Sequence, residues 1–484
     1  MLKLHNTLSR ELETFRPLRQ ENVKVYYCGP TPYNYAHIGN LRAYLFEDFV
    51  IRTLRYLGWR VETVMNVTDI DDKTIRDSQK QGIPLKELTE RYTEYFLEDL
   101  AKLRIVPADK IVPISTLVDD MAAMIQKLLD RGYAYVSEDG SVYYSISRFK
   151  KYGELAHLDV SGMISNVRID NDEYEKDSVA DFALWKAYDA ASDGENKWIA
   201  KLTVEGKEVE LPGRPGWHIE CSACNMKHHG PQIDIHMGGI DNLFPHHQNE
   251  VAQTEACTGK PFSKYWMHGG HLLVDNKKMA KSAGNFYTLR DIVEKVGSEK
   301  AESVYRGFRL MALQTQYREN FNFTFDRLEA SMRTLAGFDE TFRRLSRFEA
   351  KEGKVNRDFR NELQGYVQAY VEALENDFST SEALAVVFAF QTFVNASIDS
   401  GKLSVPEKES VIEMFRSFDS VLALFDFSLL EAVKVDPELD IMLEDRNIAK
   451  ASKDYATADR LRDEILAKGY KIVDTKDGSY LEPV

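Results

Sequence analysis

Val23-Lys-Val-Tyr-Tyr-Cys28-Gly29-Pro30-Thr-Pro-Tyr-Asn-Tyr-Ala-His37-Ile-Gly39-Asn40 reads as a strand that stops abruptly and a helix that starts soon after it. The β-branched and aromatic run through Tyr27 suits a pleated, half-buried surface, and Gly29-Pro30 ends it. From Asn40 to Tyr56, Leu41, Leu45, Phe46, Phe49, Val50 and Leu54 recur at helical spacing, and Arg60 to Val67 alternates toward a second strand. Strand, helix, strand in roughly 45 residues is the unit of a parallel sheet, so an α/β fold is expected. Gly39 would let a ligand approach the backbone, and the free amides of the helix's first turn favour phosphate. The pattern is neither the dinucleotide glycine fingerprint nor a Walker loop, so hydride transfer and ordinary P-loop chemistry are not indicated.

Outward from this unit, Thr68 falls at the carboxyl end of the second strand, where open parallel sheets bind ligands. Asp71 and Asp72 read first as a helix cap and a negative first turn. Helical spacing runs from Leu85 to Leu103 and from Leu117 to Leu129, and Gly140 to Ile146 alternates as a strand. The stretch from Gly162 to Gly206 is polar and weakly periodic. Residues from about 110 to 225 are expected to form an insertion with a poorly packed or mobile Gly/Asp-rich middle. Beyond Ser282 the pattern is helical, from Leu289 through Phe348 and from Asn361 through Ala396. A linker carrying Gly401, Pro406, Val433 and Pro437 leads to a last module, with helices over Leu443–Ser452 and Tyr455–Lys468 and two short strands near Gly469 and Gly478.

Trp217-His-Ile-Glu-Cys221 and Gly238-Gly-Ile-Asp241-Asn-Leu-Phe-Pro245-His246-His-Gln-Asn-Glu250 gather a thiol, an imidazole and a carboxylate. If Pro245 opens a helix, His246 and Glu250 project from one face and reach a single ion. The fourth ligand must come from elsewhere, and Cys28, presented at a strand end, is the first candidate. Two thiolates point to zinc rather than magnesium. A Cys221/Cys224 pair, with the two-residue spacing of structural zinc sites, is the local competitor; His247, Cys224 and Cys257 read as structural.

Lys278-Met-Ala280-Lys281-Ser282-Ala-Gly284-Asn285 puts two lysines, a serine and a glycine in a short loop before a helix. Alone it is an ordinary solvated loop. Paired with His37 and Gly39 across a cleft it makes a polyphosphate clamp, the equipment of an adenylating enzyme: His37 donates to the phosphates and Lys281 neutralises the leaving pyrophosphate.

On these residues the chain resembles the cysteinyl-tRNA synthetases of class I, along nearly its whole length. His37-Ile-Gly39-Asn40 looks like the first signature, with Asn in a place where this family uses it. Lys278-Met-Ala280-Lys281-Ser282 looks like the second, with Ala280 where serine is usual. The resemblance implies one zinc per chain on Cys28, Cys221, His246 and Glu250, and a cysteine pocket of Gly29, Thr68, Trp217 and His246 with His236 near the metal. It implies that Asp241 faces the adenosine end beside Gly39, and that His37, Asn40, Lys278, Lys281 and Ser282 serve the phosphates. It also implies L-cysteine, ATP with Mg2+, and tRNA(Cys) as substrates and partner, and a monomer. The architecture implied is a Rossmann-type α/β catalytic domain (1–110 and 226–315) with a connective insertion (111–225), a helical bundle (316–430) and a small α+β anticodon-binding domain (431–484). In that last domain Arg446, Lys450, Lys453, Arg460 and Arg462 are the candidates for RNA backbone contact.

Composition agrees with this. At 484 residues several domains are expected, and 62 basic against 77 acidic residues, a formal charge of -15, argue against indiscriminate nucleic-acid binding. Four cysteines do not make a disulfide scaffold and suit a reducing compartment. The amino terminus, broken by acids, reads as no signal peptide, and no 18-residue apolar span stands out, so a cytoplasmic protein without membrane attachment is expected.

Overall fold

The computed structural model describes residues 1–158, 168–169, 180–280, 283–431, 437–475 and 478–483. Its central element is a five-stranded sheet in which every neighbouring pair is parallel. The strands are β1 (Asn22–Tyr27), β2 (Arg60–Val67), β3 (Lys110–Pro113), β4 (Ile233–Gly239) and β5 (Ser263–Gly269), in spatial order β5-β4-β1-β2-β3. The chain builds from β1 outward to β3, then returns to lay β4 on the other side of β1. The carboxyl ends of β1 and β4 therefore flank a topological switch point, the place where such sheets open a ligand crevice. This is the parallel α/β sheet the strand-helix-strand unit predicts, in the Rossmann-type arrangement the resemblance implies.

Helix α1 (Ile38–Tyr56) crosses from β1 to β2 and starts two residues earlier than the periodicity suggests, because His37 caps it. The His37 ring accepts from the Asn40 backbone N–H, and the Asn40 side chain accepts from the His37 N–H. Its apolar face buries Leu41, Leu45, Phe46, Phe49 and Leu54. Asp48 on the same helix is completely buried, paired with Arg309 at 2.5 Å and Arg52 at 2.9 Å. Arg309, on the helix Ala301–Leu313, also donates to the carbonyls of Leu422 (2.6 Å) and Leu103 (3.0 Å), so this cluster ties α1 to that helix and to the carboxyl ends of Val405–Leu422 and Leu85–Lys102.

Between β3 and β4 the chain forms a mainly antiparallel sheet whose longest strands are Asp181–Ala187, Trp198–Val204 and Lys207–Pro215. Regular strands thus replace the aperiodic stretch expected up to Gly206. Their core is continuous with the central sheet: Tyr26, Val64 and Val112 share one cluster with Met121, Tyr144, Phe182 and Trp185. Of the polar middle from Gly162 to Gly206, expected to be poorly packed, residues 162–167 and 170–179 lie outside the described residues, and the part from Asp181 onward forms regular strands instead.

Past the central sheet, the helices Phe325–Arg347, Arg357–Glu375, Thr380–Asp399 and Val405–Leu422 follow in order. The last of these corrects the expected linker: Pro406 sits in a helical first turn, where its missing N–H costs nothing, behind a Ser404–Glu407 capping box. Pro437 likewise begins a helix, Pro437–Ala451, rather than ending a linker. A short strand, Phe321–Phe323, interrupts the helical run expected after Leu289 and pairs with Leu272–Val274. Among the described residues Thr380–Asp399 is the one helix long and apolar enough to cross a membrane, contrary to the expectation of none; its Leu384, Val387, Phe390 and Val394 are buried.

The chain divides into two compact units, Met1–Thr341 with Ala350–Phe425, and Phe342–Glu349 with Asp426–Val484. The second holds two helices, Pro437–Ala451 and Tyr455–Ala467, and the hairpin Tyr470–Thr475/Gly478–Pro483, closed over Leu439, Ile465 and Leu481. Within it Arg446 and Lys450 both pair with Asp474, at 2.7 Å each.

Candidate active site and metal centre

A cavity of about 720 Å3 opens at the switch point, lined at its base by Cys28, Gly29, Thr68, Trp217, Cys221 and His246. All but Cys221 come from element ends. Cys28 follows β1, Thr68 follows β2, and α2 (Trp217–His228) begins with Trp217 and carries Cys221 one turn in. His246 and Glu250 span the start of α3 (Gln248–Thr258), where Phe244 is extended and the chain turns helical from Pro245.

Four donors meet there. The Cys28 and Cys221 sulfurs are 3.8 Å apart, His246 Nε2 is 3.3 Å from Cys221 Sγ and 3.2 Å from Glu250 Oε1, and Glu250 Oε1 is 3.9 Å from Cys28. One ligand atom from each lies within 4.8 Å of the others. The supporting contacts aim the ligands: His246 Nδ1 pairs with His218 at 3.0 Å, leaving Nε2 toward the sulfurs, and His236 Nε2 takes Glu250 Oε2 at 3.0 Å, leaving Oε1. The Trp217 ring stacks on His246 at 4.2 Å. Burial lowers the His246 pKa to about 3, so its ring is neutral and can offer a lone pair. The hydrogen bond to Cys221 and burial raise the Cys28 thiol, and burial raises Cys221. Two thiols, a neutral imidazole and a carboxylate at these separations fit one tetrahedral zinc ion.

Gly29 is fixed by crowding. A Cβ there would stand 1.5 Å from the Asn66 carbonyl oxygen, and the Asn66 side chain accepts the Gly29 N–H at 2.9 Å while donating to Thr68 Oγ1 at 3.0 Å. Asn66 therefore sets the positions of both Gly29 and Thr68.

His37, Gly39, Asn40, Asp241 and Lys278 line the same cavity. The bond from the Asn40 N–H to His37 Nδ1, at 3.2 Å, places the proton of the neutral ring on Nε2. A Cβ on Gly39 would meet that ring at 2.9 Å. The first-signature segment is sewn to the loop after Lys278: the Ile38 N–H donates to the Tyr287 carbonyl at 3.0 Å, and the Phe286 ring meets His37 edge-on at 5.2 Å. Asn285 organises the loop, its Oδ1 accepting the Ala280 N–H at 2.9 Å and its Nδ2 reaching the Lys278 carbonyl at 3.2 Å. Asp241 does not cap a helix, since Gly239 holds that place; it is exposed and 3.3 Å from His271. Asp71 does cap a helix, Asp72–Gln81. Lys281 and Ser282 lie outside the described residues.

Two expectations need correction or refinement. His247 does not turn away from the cluster: its Nε2 is 3.4 Å from Cys28, and Cys28, His236, His247 and Glu250 form a second group of donors within 4.8 Å. The break at Phe244 rotates the segment so that both adjacent histidines face inward. His236 backs the Glu250 carboxylate and is not part of the cavity lining. Cys224 belongs to neither group of donors found among the described residues. Sequence reading missed His218, His268 and Asn66; their one signal was polarity in otherwise apolar elements.

The chain matches the class I (C) tRNA synthetase catalytic domain family over residues 14–333 and the DALR domain family over residues 369–426. It is 42% identical to the cysteine–tRNA ligase of Chlamydia muridarum over 100% of both chains. It is 41% identical to that of Protochlamydia amoebophila, over 99% of this chain and 98% of the relative. Its fold is similar to that of a Mycobacterium tuberculosis methionyl-tRNA synthetase in complex with methionyl-adenylate (12% identity, TM-score 0.58, 84% of this chain and 90% of that one). A leucyl-tRNA synthetase from Agrobacterium radiobacter K84, in a ternary complex with tRNA, is similar at TM-score 0.62 and 11% identity, over 87% of this chain and 86% of that one.

Proposed function

The chain belongs to the cysteine–tRNA ligase family of class I aminoacyl-tRNA synthetases, and on that premise we propose how its residues divide the reaction. The activity is ATP-dependent aminoacylation of tRNA(Cys) through an aminoacyl-adenylate. The observation that carries the finer reading is the meeting of Cys28, Cys221, His246 and Glu250 in the cavity that His37, Gly39 and Lys278 also line.

Cys28, Cys221, His246 and Glu250 hold one zinc ion, which when bound supplies a partner for the substrate's sulfur as thiolate that a serine hydroxyl, harder and far less acidic, cannot match. Thr68 and Gly29 border the amino acid beside the Trp217 ring, and Asn66 keeps them in place. ATP enters with Mg2+. His37 donates from Nε2 to the phosphates as the cysteine carboxylate attacks the α-phosphorus, with Asn40 holding the ring's tautomer. Lys278, with Lys281 and Ser282, offsets charge on the departing pyrophosphate, and Asp241 faces the ribose and base. Catalysis here is positioning and electrostatics, with no covalent enzyme intermediate. A pocket built around a required sulfur contact rejects serine without a separate editing domain.

The test is three variants of the full chain. Cys28→Ser should lose bound zinc and cysteine binding together; retention of both defeats the ligand assignment. His37→Ala and Lys278→Ala should keep zinc and lower cysteine-dependent pyrophosphate exchange by about 10²- to 10³-fold; unchanged exchange removes them from the phosphate site.

A further inference from the structure

Tyr35, Tyr92 and Tyr95 form a cluster with ring centroids 5.5, 5.0 and 6.0 Å apart. The Arg290 guanidinium lies over Tyr35 at 4.4 Å and over Tyr95 at 5.1 Å. Arg290 is held flat by Asp99 at 2.7 Å and Glu98 at 3.4 Å. Tyr35 and Tyr92 line the cavity, and the division of roles proposed for adenylate formation leaves them without one. Their rings are neither core nor solvent: both are half-buried. Tyr35 stands two residues before His37, and Arg290 follows the loop that begins at Lys278, so the cluster sits where both signature segments meet.

We propose that Tyr35 and Tyr92, both packed on Tyr95 and with Arg290 over Tyr35, are the stacking platform for the unpaired 3′-terminal nucleotides of the RNA substrate. This rests on the reading that the RNA's terminal ribose enters the cavity to receive the cysteinyl group. A single strand that must reach that point runs along a cavity wall with its bases unstacked from their helix. Aromatic faces recover the lost stacking for any base, and an arginine on the far side of the ring adds to it. The bracing matters as well. Tyr35, under an Arg290 that Asp99 and Glu98 hold, and Tyr92, packed on Tyr35 and Tyr95, lose little freedom when a base arrives. The alternative occupant of the same wall is the adenine of ATP, and the two are separable because adenylate forms without RNA.

The experiment compares wild type, Tyr35→Ala, Tyr92→Ala, the double variant and Tyr35→Phe/Tyr92→Phe in two assays: cysteine-dependent pyrophosphate exchange, and charging of a tRNA(Cys) transcript with either an intact or an abasic 3′-terminal nucleotide. Expected are a loss of about 10- to 100-fold in kcat/KM for charging in the double alanine variant, and near wild-type charging with phenylalanine. Exchange should keep its rate and KM for ATP within about twofold, and the alanine deficit should shrink on the abasic transcript. Unchanged charging, a parallel fall in exchange, or an equal deficit on both transcripts overturns the proposal. Should the double variant not fold, Tyr35→Leu is read by the same rates. Failure of the functional reading itself would show differently, as a wild-type protein that neither exchanges nor charges with cysteine.

Discussion

The Cys28 and Cys221 sulfurs stand 3.8 Å apart although 193 residues separate them in the chain. Two sulfur ligands about 2.3 Å from one tetrahedral ion are separated by about the same distance, so the fold brings β1 and α2 together at coordination spacing. Both thiols have raised pKa values, Cys28 from its hydrogen bond to Cys221 and from burial, Cys221 from burial. The metal-free site therefore holds them protonated at neutral pH, and His246, lowered to about 3, contributes no proton. Zinc loading at pH 7 should release about two protons, and affinity should fall as pH drops. Titration calorimetry in buffers of different ionisation enthalpy reads the number directly; zinc uptake without proton release would mean the thiols are not ligands.

Gly29→Ala is expected to be severe for its size. The added methyl would overlap the Asn66 carbonyl oxygen, at 1.5 Å, and that atom is backbone in a central strand. Separating the ends of β1 and β2 should cost about 3 kcal/mol and dislodge both Thr68 and Cys28. Denaturant unfolding with a zinc assay checks this; full stability with normal zinc content would contradict the crowding.

Arg309→Met should cost about 3 kcal/mol, the low end for breaking a buried pair, because Arg52 still reaches Asp48. It also leaves the Leu422 and Leu103 carbonyls without this donor. Urea melts would show the loss, and a change under 1 kcal/mol would mean that Asp48 needs only Arg52.

Glu47 carries a pH dependence. It is buried in α1, burial raises its pKa well above the usual carboxylate range, and its Oε2 has no hydrogen-bond partner among the described residues. Below about pH 4.5 the carboxyl is protonated folded and unfolded alike; as pH rises toward the folded pKa the unfolded chain ionises first, so native stability is lost by up to about 1.4 kcal/mol per pH unit. Glu47→Gln removes this linkage. Its advantage in melting temperature over wild type should grow from pH 5 to pH 8; a constant difference would show that Glu47 is ionised in the fold.

The β1-α1-β2 unit was legible because its periodicities are local and its punctuation is strong. The meeting of Cys28, Cys221, His246 and Glu250 was legible for a related reason, since Cys28, His246 and Glu250 sit at element ends where side chains are presented. Strand order was not, because whether β4 returns beside β1 depends on the whole intervening insertion. The strands between Asp181 and Pro215 were hidden by their pattern: Trp198–Val204 buries Ala200 and Leu202 but exposes Ile199 with Lys201 and Thr203, so its apolar residues fall on both faces and the alternation does not show. Val405–Leu422 was masked by Gly401 and Pro406, which mark the end of one helix and the first turn of the next. His247 was misjudged because ideal helical spacing sends neighbours to different faces, and the extended Phe244 breaks that assumption. The capping interaction between His37 and Asn40 was equally invisible, although both residues were singled out for their chemistry.

The central claim is that Cys28, Cys221, His246 and Glu250 make a zinc site that selects the substrate by its sulfur. Its most direct measurement is pyrophosphate exchange into ATP by the zinc-loaded protein, with cysteine and with serine at matched concentrations. Exchange with cysteine at a rate at least about 10⁴-fold above that with serine is expected; equal rates would contradict it.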